Sequence, residues 1–428
     1  MAGDLCYTHV IGLKIKVLGM DGFIAGHFSF ALKRWVSRNC SRKVRRVLAL
    51  AALLPFTLSA VAADVQLIPE GSLSAEALAA LPHAPRVTHH TVFKGKSGAQ
   101  YNHGAVMITH KGRYFMQWQS SAQDEDAPDT QVLYAISEDG EHWYKPRVMA
   151  SSGNGSLITN GGWWSDGDTL VAYFNVWPNK QLKTPGYVLY TTSTDGLIWQ
   201  PAKRLKMADG TDVNGIIEQD LHITPSGRIL TTLHRYPGLI ATPMFTDNPS
   251  GTGEWQLGDL PHLAFEGKTS REIEPAWFST NNQLTMVFRD QASSFRVLTS
   301  TSNDDGEHWT LPEITNMPDA RAKLSAGNLP NGVAFIVNCP SGSKTRMPLV
   351  LSLSDNGSSF NRFFMLRNEA SNVPMRYEGK YKRVGFSYPK SWVTEDALYV
   401  AYAENKEDIV VTKVPLRALL NTQQNSTQ

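Results

Sequence analysis

Six short polar stretches of the sequence contain side chains that can transfer a proton or hold an anion. Each stretch stands before an apolar segment: YNHG (101–104), SLITNGG (156–162), IEQDLH (217–222), REIEPAW (271–277), ARAKLSAGN (320–328) and GFSYPKSW (385–392). The candidates among them for proton transfer or charge are His103, Glu218, Glu274, Lys323 and Tyr388. These residue types suit the binding of a carboxylate and the movement of a proton beside it.

One reaction that needs such a set is β-elimination at a uronic acid. A base must remove the proton on C5, the leaving oxygen on C4 must receive a proton, and cations must stabilise the charge that develops on the carboxylate. His103, whose ordinary pKa is about 6.5, suits the base, and Tyr388 suits the acid. Arg289, Arg346 and Asn102 are the expected stabilising groups, because a guanidinium stays charged and binds a carboxylate through two hydrogen bonds.

Two further groups of residues leave alternatives open. His234 and Arg235 end an apolar segment and are either substrate-binding or part of a hydrogen-bonded hairpin. No HExxH, cysteine cluster or EF-hand pattern occurs, so no catalytic metal and no cofactor is expected. A structural calcium ion held by Asp124, Glu125 and Asp126 stays open as an alternative.

The elements that must position these residues recur along the chain. A polar turn followed by an apolar strand appears six times, as GRYFMQWQ (112–119), GDTLVAYFN (167–175), GRILTTLH (227–234), NQLTMVFR (282–289), GVAFIVN (332–338) and DALYVAYAE (396–404). The first copy ends at residue 119 and the last at residue 404, five steps later, so the mean step is 57 residues. A repeat of this length is typical of one four-stranded propeller blade with long loops.

A second motif keeps step with this repeat. It reads SEDGEHW (137–143), STDGLIW (193–199), SNDDGEHW (302–309) and SLSDNGSSF (352–360), with a degenerate copy centred on Gly253. An aspartate can accept backbone N–H groups, a glycine can adopt positive φ, and an aromatic ring can pack under the turn. The motif therefore predicts a structural turn between the third and fourth strand of a blade.

These repeats predict an all-β fold, a six-bladed β-propeller of four-stranded antiparallel blades. The stretch VTHHTVF (87–93) is expected to close the ring beside IVVTKVPL (409–416). Seven blades are the alternative, if residues 64–100 supply an extra set of strands. Residues 64–428 are expected to form one propeller domain.

The N-terminal region predicts export. RKVRRVLALAALLPFTLSAVAAD (42–64) has four basic residues, then an uncharged run and small residues, which is typical of a secretory signal peptide over 42–63. The apolar run is too short for a membrane span. Residues 1–41 are expected to be an upstream extension that is not folded. We therefore expect a periplasmic or extracellular protein with no membrane span in its mature form.

Charge and cysteine content narrow the class of partner. Residues 1–63 contain nine of the 41 basic residues and two of the 39 acidic ones, leaving 32 basic and 37 acidic residues. No basic stripe for nucleic acid is present. Of the three cysteines only Cys339 follows residue 63, so no intrachain disulfide is expected. The expected partner is an acidic oligo- or polysaccharide, and the expected state is a monomer.

The C-terminal half resembles the sialidase superfamily of Asp-box propellers. The resemblance lies in IEPAWFSTNNQLTMVFRDQASSFRVLTSTSNDDGEHW (273–309), VNCPSGSKTRMPLVLSLSDNG (337–357) and FSYP (386–389). It implies that Tyr388 is the nucleophile, that Glu274 orients it, and that Arg289 and Arg346 hold a substrate carboxylate.

The first blade differs from that family, which has an arginine in an Arg-Ile-Pro motif where this sequence has YNHG with Asn102 and His103. YNHG and the closing stretch YVAYAENKEDIVVTKVPL (399–416) are similar to propeller polysaccharide lyases that cut rhamnose–glucuronate linkages, including ulvan lyases. That resemblance implies that a first-blade histidine transfers the proton beside an arginine and a tyrosine.

The sequence therefore favours an exported enzyme that cleaves acidic glycans next to a uronic acid by β-elimination. The first alternative is a sialidase-like glycoside hydrolase with Tyr388 as nucleophile. The second is a glycan-binding propeller without catalysis.

Overall fold

The computed structural model describes residues 64–153, 155–178, 185–218, 221–267 and 269–421. The predictions for the upstream extension (1–41) and the signal peptide (42–63) lie outside these residues. Within them, no helix is long and apolar enough to cross a membrane. The two α-helices among them are short, α1 (Ala75–Ala79) and α2 (Leu416–Asn421), and Glu369–Ser371 forms one 3₁₀ turn.

Almost all of the regular structure consists of β-strands. The strands are β1 (Thr88–Phe93), β2 (Tyr101–His110), β3 (Arg113–Ser121), β4 (Gln131–Ser137), β5 (Arg147–Ser151), β6 (Leu157–Ser165), β7 (Leu170–Trp177), β8 (Tyr187–Ser193), β9 (Lys203–Arg204), β10 (Ile216–Ile217), β11 (His222–Ile223), β12 (Ile229–Arg235), β13 (Ile240–Thr246), β14 (Gln256–Leu257), β15 (Glu272–Thr280), β16 (Gln283–Asp290), β17 (Arg296–Ser302), β18 (Glu313–Pro318), β19 (Ser325–Asn328), β20 (Ala334–Asn338), β21 (Leu349–Ser354), β22 (Arg362–Arg367), β23 (Phe386–Val393), β24 (Ala397–Glu404) and β25 (Asp408–Pro415).

These strands form six antiparallel sheets, which confirms the six-bladed propeller. Blades I to V are β2–β5, β6–β9, β10–β14, β15–β18 and β19–β22, and blade VI is β23, β24, β25 and β1. In blade III, β10 and β11 both pair with β12, so two short strands share the innermost position. The first strands of neighbouring blades contact one another, as β2 does with β6 and β23, and so surround the axis.

Apolar side chains between blades hold the ring together. Strand β24 (ALYVAYAE) is buried along its whole length, because a neighbouring blade covers each of its faces. Between blades I and II, the rings of Phe115 and Trp163 meet edge to face, with centroids 6.1 Å apart. Blade packing of this kind needs no disulfide, and Cys339 is a buried free thiol.

The N-terminal strand closes the ring as expected. Strand β1 pairs antiparallel with β25, from Thr88 opposite Lys413 to Phe93 opposite Ile409. The seven-bladed alternative is wrong, because β1 is the only strand in residues 64–100. This strand forms the outermost strand of blade VI, so no strand is left for a seventh blade.

The repeated Ser-Asp-Gly turns join the third and fourth strands of blades I, II, IV and V, as predicted. In blade I the Ser137 hydroxyl accepts the N–H of Gly140, and Asp139 Oδ1 accepts two backbone N–H groups. The four glycines have φ between 69° and 88°. The expectation for Gly253 is wrong, because Gly251 has the positive φ in blade III and its carbonyl receives the indole N–H of Trp255.

Candidate active site

A bulge near the start of the first strand positions the site residues in three blades. The pairing register shifts between His103 and Val106 in β2, between Ile273 and Ala276 in β15, and between Ser387 and Lys390 in β23. Glu274 and Tyr388 lie in these bulges with left-handed φ values of 54° and 56°. A bulge redirects a side chain away from the regular alternation of a strand. These bulges turn the two side chains toward each other across the axis.

Tyr388, Glu274 and Arg289 form the centre of the cluster. The Tyr388 hydroxyl donates to Glu274 Oε1 at 2.7 Å. Arg289 Nη1 donates to Glu274 Oε2 at 2.7 Å and to the Tyr388 oxygen at 3.0 Å, and its Nη2 donates to Gln291. The three side chains come from three different strands, so the cluster exists only once blades IV and VI have assembled around the axis.

The same contacts set the protonation of the two acidic groups. Burial and the neighbouring Glu274 carboxylate raise the pKa of Tyr388 far above its ordinary value, so its hydroxyl keeps its proton at neutral pH. Burial alone would raise the pKa of Glu274, but the charges of Arg289 and Lys323 outweigh it and lower this pKa. The centre therefore holds a carboxylate and a neutral phenol.

His103 lies against this centre. It is buried, and its ring centroid is 4.2 Å from that of Tyr388. Neither ring nitrogen has a hydrogen-bond partner within the part of the chain that the structure describes. Burial, followed by the charges of Lys406 and Arg346, lowers the pKa of His103 well below its ordinary value. His103 is therefore a neutral, buried imidazole whose two nitrogens have no protein partner among the described residues.

Three more cations approach the ring of Tyr388. The charged groups of Arg346, Lys323 and Lys406 lie 5.2, 5.3 and 5.9 Å from its centroid. Arg346 Nη1 donates to the Ser387 hydroxyl at 2.8 Å. Burial lowers the pKa of Lys406 to about 8, although Glu125 opposes this shift. With Arg289, four cationic side chains surround one aromatic ring.

The buried carboxylate of Glu218, in blade III, holds Lys323 and His234 in place. Glu218 pairs with Lys323 at 2.5 Å and with His234 Nδ1 at 3.0 Å. Burial would raise the pKa of Glu218, but Lys323 and His234 lower it strongly. His234 Nε2 accepts the backbone N–H of Glu274 at 3.1 Å. His234 thus stabilises the left-handed backbone at Glu274 through this hydrogen bond.

The structure brings together eight of the ten candidate residues named from the sequence: His103, Glu218, Glu274, Lys323, Tyr388, Arg289, Arg346 and His234. Asn102 is buried with its amide donating to the carbonyls of Ala99 and Glu407 and accepting the indole N–H of Trp118. Its hydrogen bonds therefore hold β2 against the β24–β25 turn. Arg235 is exposed at the end of β12, and strand alternation directs it away from the face of His234.

Lys406 and Glu125 belong to the cluster but were not among the predicted site residues. Lys406 stands in the turn between β24 and β25, and its ammonium bonds to Glu125 in the acidic loop after β3. The single lysine of ENKED (404–408) and the acidic run of AQDEDAPD (122–129) were the only available signal. Of the acidic residues proposed for calcium, Asp124 instead accepts the N–H of Lys380, so Asp124 and Glu125 serve separate partners.

Comparisons with known proteins agree with this fold. Residues 112–400 match the family model described as a BNR repeat-like domain. A solved sialidase superposes with a TM-score of 0.56 and 17% identity over 78% of this chain and 33% of that one. The Trypanosoma rangeli sialidase gives a TM-score of 0.58 and 13% identity over 80% of this chain and 61% of that one.

A protein from Dyadobacter fermentans, described as of unknown function, gives a TM-score of 0.59 and 15% identity over 77% of this chain and 99% of that one. No curated protein sequence matches the chain. The chain therefore spans a third of the first sialidase and about three fifths of the trypanosomal one. At these identities the likeness concerns the fold.

Proposed function

Because the chain belongs to the family of BNR repeat-like domains, and because its axis carries this cationic cluster, we propose that it is a carbohydrate-active enzyme that cleaves acidic glycans next to a uronic acid by β-elimination. The observation that carries the proposal is His103, a buried neutral imidazole with two unpartnered nitrogens beside a tyrosine and four cations. The predicted signal peptide at 42–63 would bring such an enzyme to polymers outside the cytoplasm.

The elimination assigns one role to each group. The uronate carboxylate binds between Arg289 and Arg346, whose charges lower the cost of the enolate-like state. His103 takes the proton from C5, and the electrons of that C–H bond form the C4=C5 double bond. The C4–O bond breaks, and the leaving oxygen receives the proton of Tyr388. One glycosidic bond is lost, no water is consumed, and the product has an unsaturated sugar end.

A specific observation also favours hydrolysis as a second candidate. The Tyr388 hydroxyl donates to Glu274 and accepts from Arg289. In this arrangement Glu274 can take the proton while the phenol oxygen attacks an anomeric carbon and the bond from that carbon to the leaving oxygen breaks. The leaving oxygen takes a proton from solvent, and water then hydrolyses the bond between Tyr388 and the sugar. This is the role that the sialidase resemblance implies for Tyr388. Since the pKa of Tyr388 is strongly raised, this path requires the proton to move to Glu274 during the attack.

Mass analysis of the products separates the two reactions. With a rhamnosyl-glucuronate oligosaccharide, we expect fragments that have an unsaturated end and absorb in the ultraviolet. A hydrolysed fragment is heavier than its unsaturated counterpart by the mass of one water. Fragments that all carry this extra water, or free sialic acid from a fluorogenic sialoside, would overturn the lyase proposal. Retention of the glycan without any product would exclude both reactions and favour a glycan-binding propeller without catalysis.

Lys406 gives the proposed reaction a distinct pH dependence. Its ammonium is charged below a pKa of about 8 and neutral above it. As the pH rises from about 7 to about 9.5, the site loses one charge, and we expect KM for an anionic glycan to rise about tenfold, as for the loss of a charged hydrogen bond. Lys406→Arg should abolish this rise, because a guanidinium stays charged throughout this range.

The measurement is KM against pH for the wild type and Lys406→Arg. Lys413→Arg is the matched control, since Lys413 lies on β25, the third strand of blade VI, and pairs with Glu141 in the turn after β4 of blade I. It should leave the wild-type profile unchanged. If Lys406→Arg shows the same rise as the wild type, Lys406 does not contribute its charge to substrate binding.

A further inference from the structure

Arg321 lies in a loop that comes between Arg289 on β16 and Arg346 in the loop after β20 along the chain. The loop joins β18 to β19, and it also holds Lys323, whose ammonium reaches Glu218 at the axis. Asp319 fixes the loop, because its N–H donates to the carbonyl of Phe295 and its carboxylate accepts from Ala322 N and Asn338 Nδ2. The loop is therefore held against the start of β17, which follows the strand of Arg289, and against the end of β20, which leads to Arg346.

Three features of Arg321 cost free energy. Its φ is 51°, in the left-handed region that favours glycine. Its Nε is buried without a hydrogen-bond partner, and none of its guanidinium nitrogens is paired to another residue of the described chain. Burial and the like charge of Arg289 lower the pKa of Arg321, although Asp290 opposes this shift. A half-buried guanidinium beside a second one is unfavourable unless an anion lies between or above them.

We propose that Arg321 binds a second anionic group of the substrate, on the sugar next to the uronate held by Arg289 and Arg346. The favoured substrate is then a glycan with negative charges on neighbouring sugars, either carboxylates or sulfate esters. The inference rests on the acidic-glycan site of the proposed function and adds a specificity residue to it. The uronate carboxylate of the substrate is already held by Arg289 and Arg346. Arg321 therefore discriminates between glycans and takes no part in proton transfer.

The test compares Arg321→Gly and Arg321→Lys with the wild type by calorimetric measurement of Kd. The probes are a uronate disaccharide with one charge, the same disaccharide with a sulfate on the neighbouring sugar, and a disaccharide of two uronates. We expect Arg321→Gly to weaken binding of a doubly charged probe about tenfold or more, as for a lost charged hydrogen bond. Binding of the singly charged probe should stay within about twofold, and Arg321→Lys should be intermediate because it keeps the charge.

Thermal unfolding gives a second readout that a structural role would not produce. Glycine adopts a φ of 51° without strain, so Arg321→Gly should have a Tm equal to or above that of the wild type. Arg86→Gly is the matched control, because Arg86 is exposed before β1 and has a φ of 54°. It should also keep or raise Tm, but it should change no Kd.

The outcomes separate this inference from the proposed function. Equal effects of Arg321→Gly on all three probes, or no effect on any, would overturn the inference while leaving wild-type turnover intact. An effect on only the sulfated or only the di-uronate probe supports it and identifies the anion. If the wild type turns over none of the probes while Arg321→Gly still weakens the doubly charged ones selectively, the inference holds and the elimination proposal fails.

Discussion

Replacing His103 by alanine is expected to lower kcat on a uronate-containing glycan by about 10²–10⁴-fold, the usual contribution of a general base. The imidazole is the buried neutral group that meets the ring of Tyr388, and its nitrogens have no partner within the described residues. Alanine removes the proton acceptor without removing a cation. KM should therefore change much less than kcat, and this split between the two constants is the measurement.

A second histidine provides the control. His142 lies in the Asp-box turn of blade I, where its exposed ring bonds to Asp139. His142→Ala should leave kcat unchanged, since this turn joins the third strand of a blade to the fourth, far from the start of the first. A His103→Ala enzyme that keeps wild-type kcat and folds normally would exclude His103 as the base and move the reaction to Tyr388 and Glu274.

Replacing Arg289 by methionine is expected to lower the free energy of unfolding by about 3 kcal/mol. Arg289 and Glu274 form an ion pair that is largely shielded from solvent, with side-chain exposures of 14% and 16%. Removing one partner of a buried pair leaves a charge without compensation, which costs about 3–5 kcal/mol when burial is complete. Adding Glu274→Gln removes that charge, so the double variant should recover a large part of the loss.

Urea unfolding of the two single variants and the double variant measures this coupling. Lys206→Met is the control, because Lys206 pairs with Asp212 at the surface, where the two side chains are 50% and 35% exposed, and it should lose less than about 1 kcal/mol. If the losses of Arg289→Met and Glu274→Gln simply add in the double variant, the two side chains do not stabilise each other as the geometry implies.

The fold followed from local signals in the sequence. A polar turn before each apolar strand and the Ser-Asp-Gly motif in four blades both depend on residues close together in the chain. In the motif, the aspartate accepts backbone N–H groups and the glycine adopts a positive φ, as Asp139 and Gly140 do. Each role depends on the type of a single residue. The motif failed only near Gly253, where Gly251 takes the turn because the copy contains two glycines two residues apart.

The candidate site followed from the sequence only in part. His103, Glu274 and Tyr388 were predicted because each belongs to a polar stretch before a strand pair. Lys406 was missed because it lies in the turn between β24 and β25 and not in a polar stretch before a strand. Antiparallel pairing places this turn on the same face of the propeller as the starts of the first strands. Asn102 was predicted to bind substrate, but its amide donates to backbone carbonyls that only the folded chain brings within reach.

The sequence by itself indicated a propeller with six repeats, the strand that closes the ring and the supply of polar groups around the axis, because short-range periodicity and turn chemistry decide these. The choice of six blades over seven came from the structure, since only the pairing of β1 with β25 shows where the N-terminal strand belongs. Only the tertiary structure decided which groups meet. The left-handed φ values at Glu274 and Tyr388 arise in bulges that a residue pattern does not show. They bring Glu274 of blade IV and Tyr388 of blade VI into contact with each other and with Arg289. Burial then shifts the pKa values of His103 and Lys406, since desolvation depends on what surrounds a group and not on its neighbours in the chain.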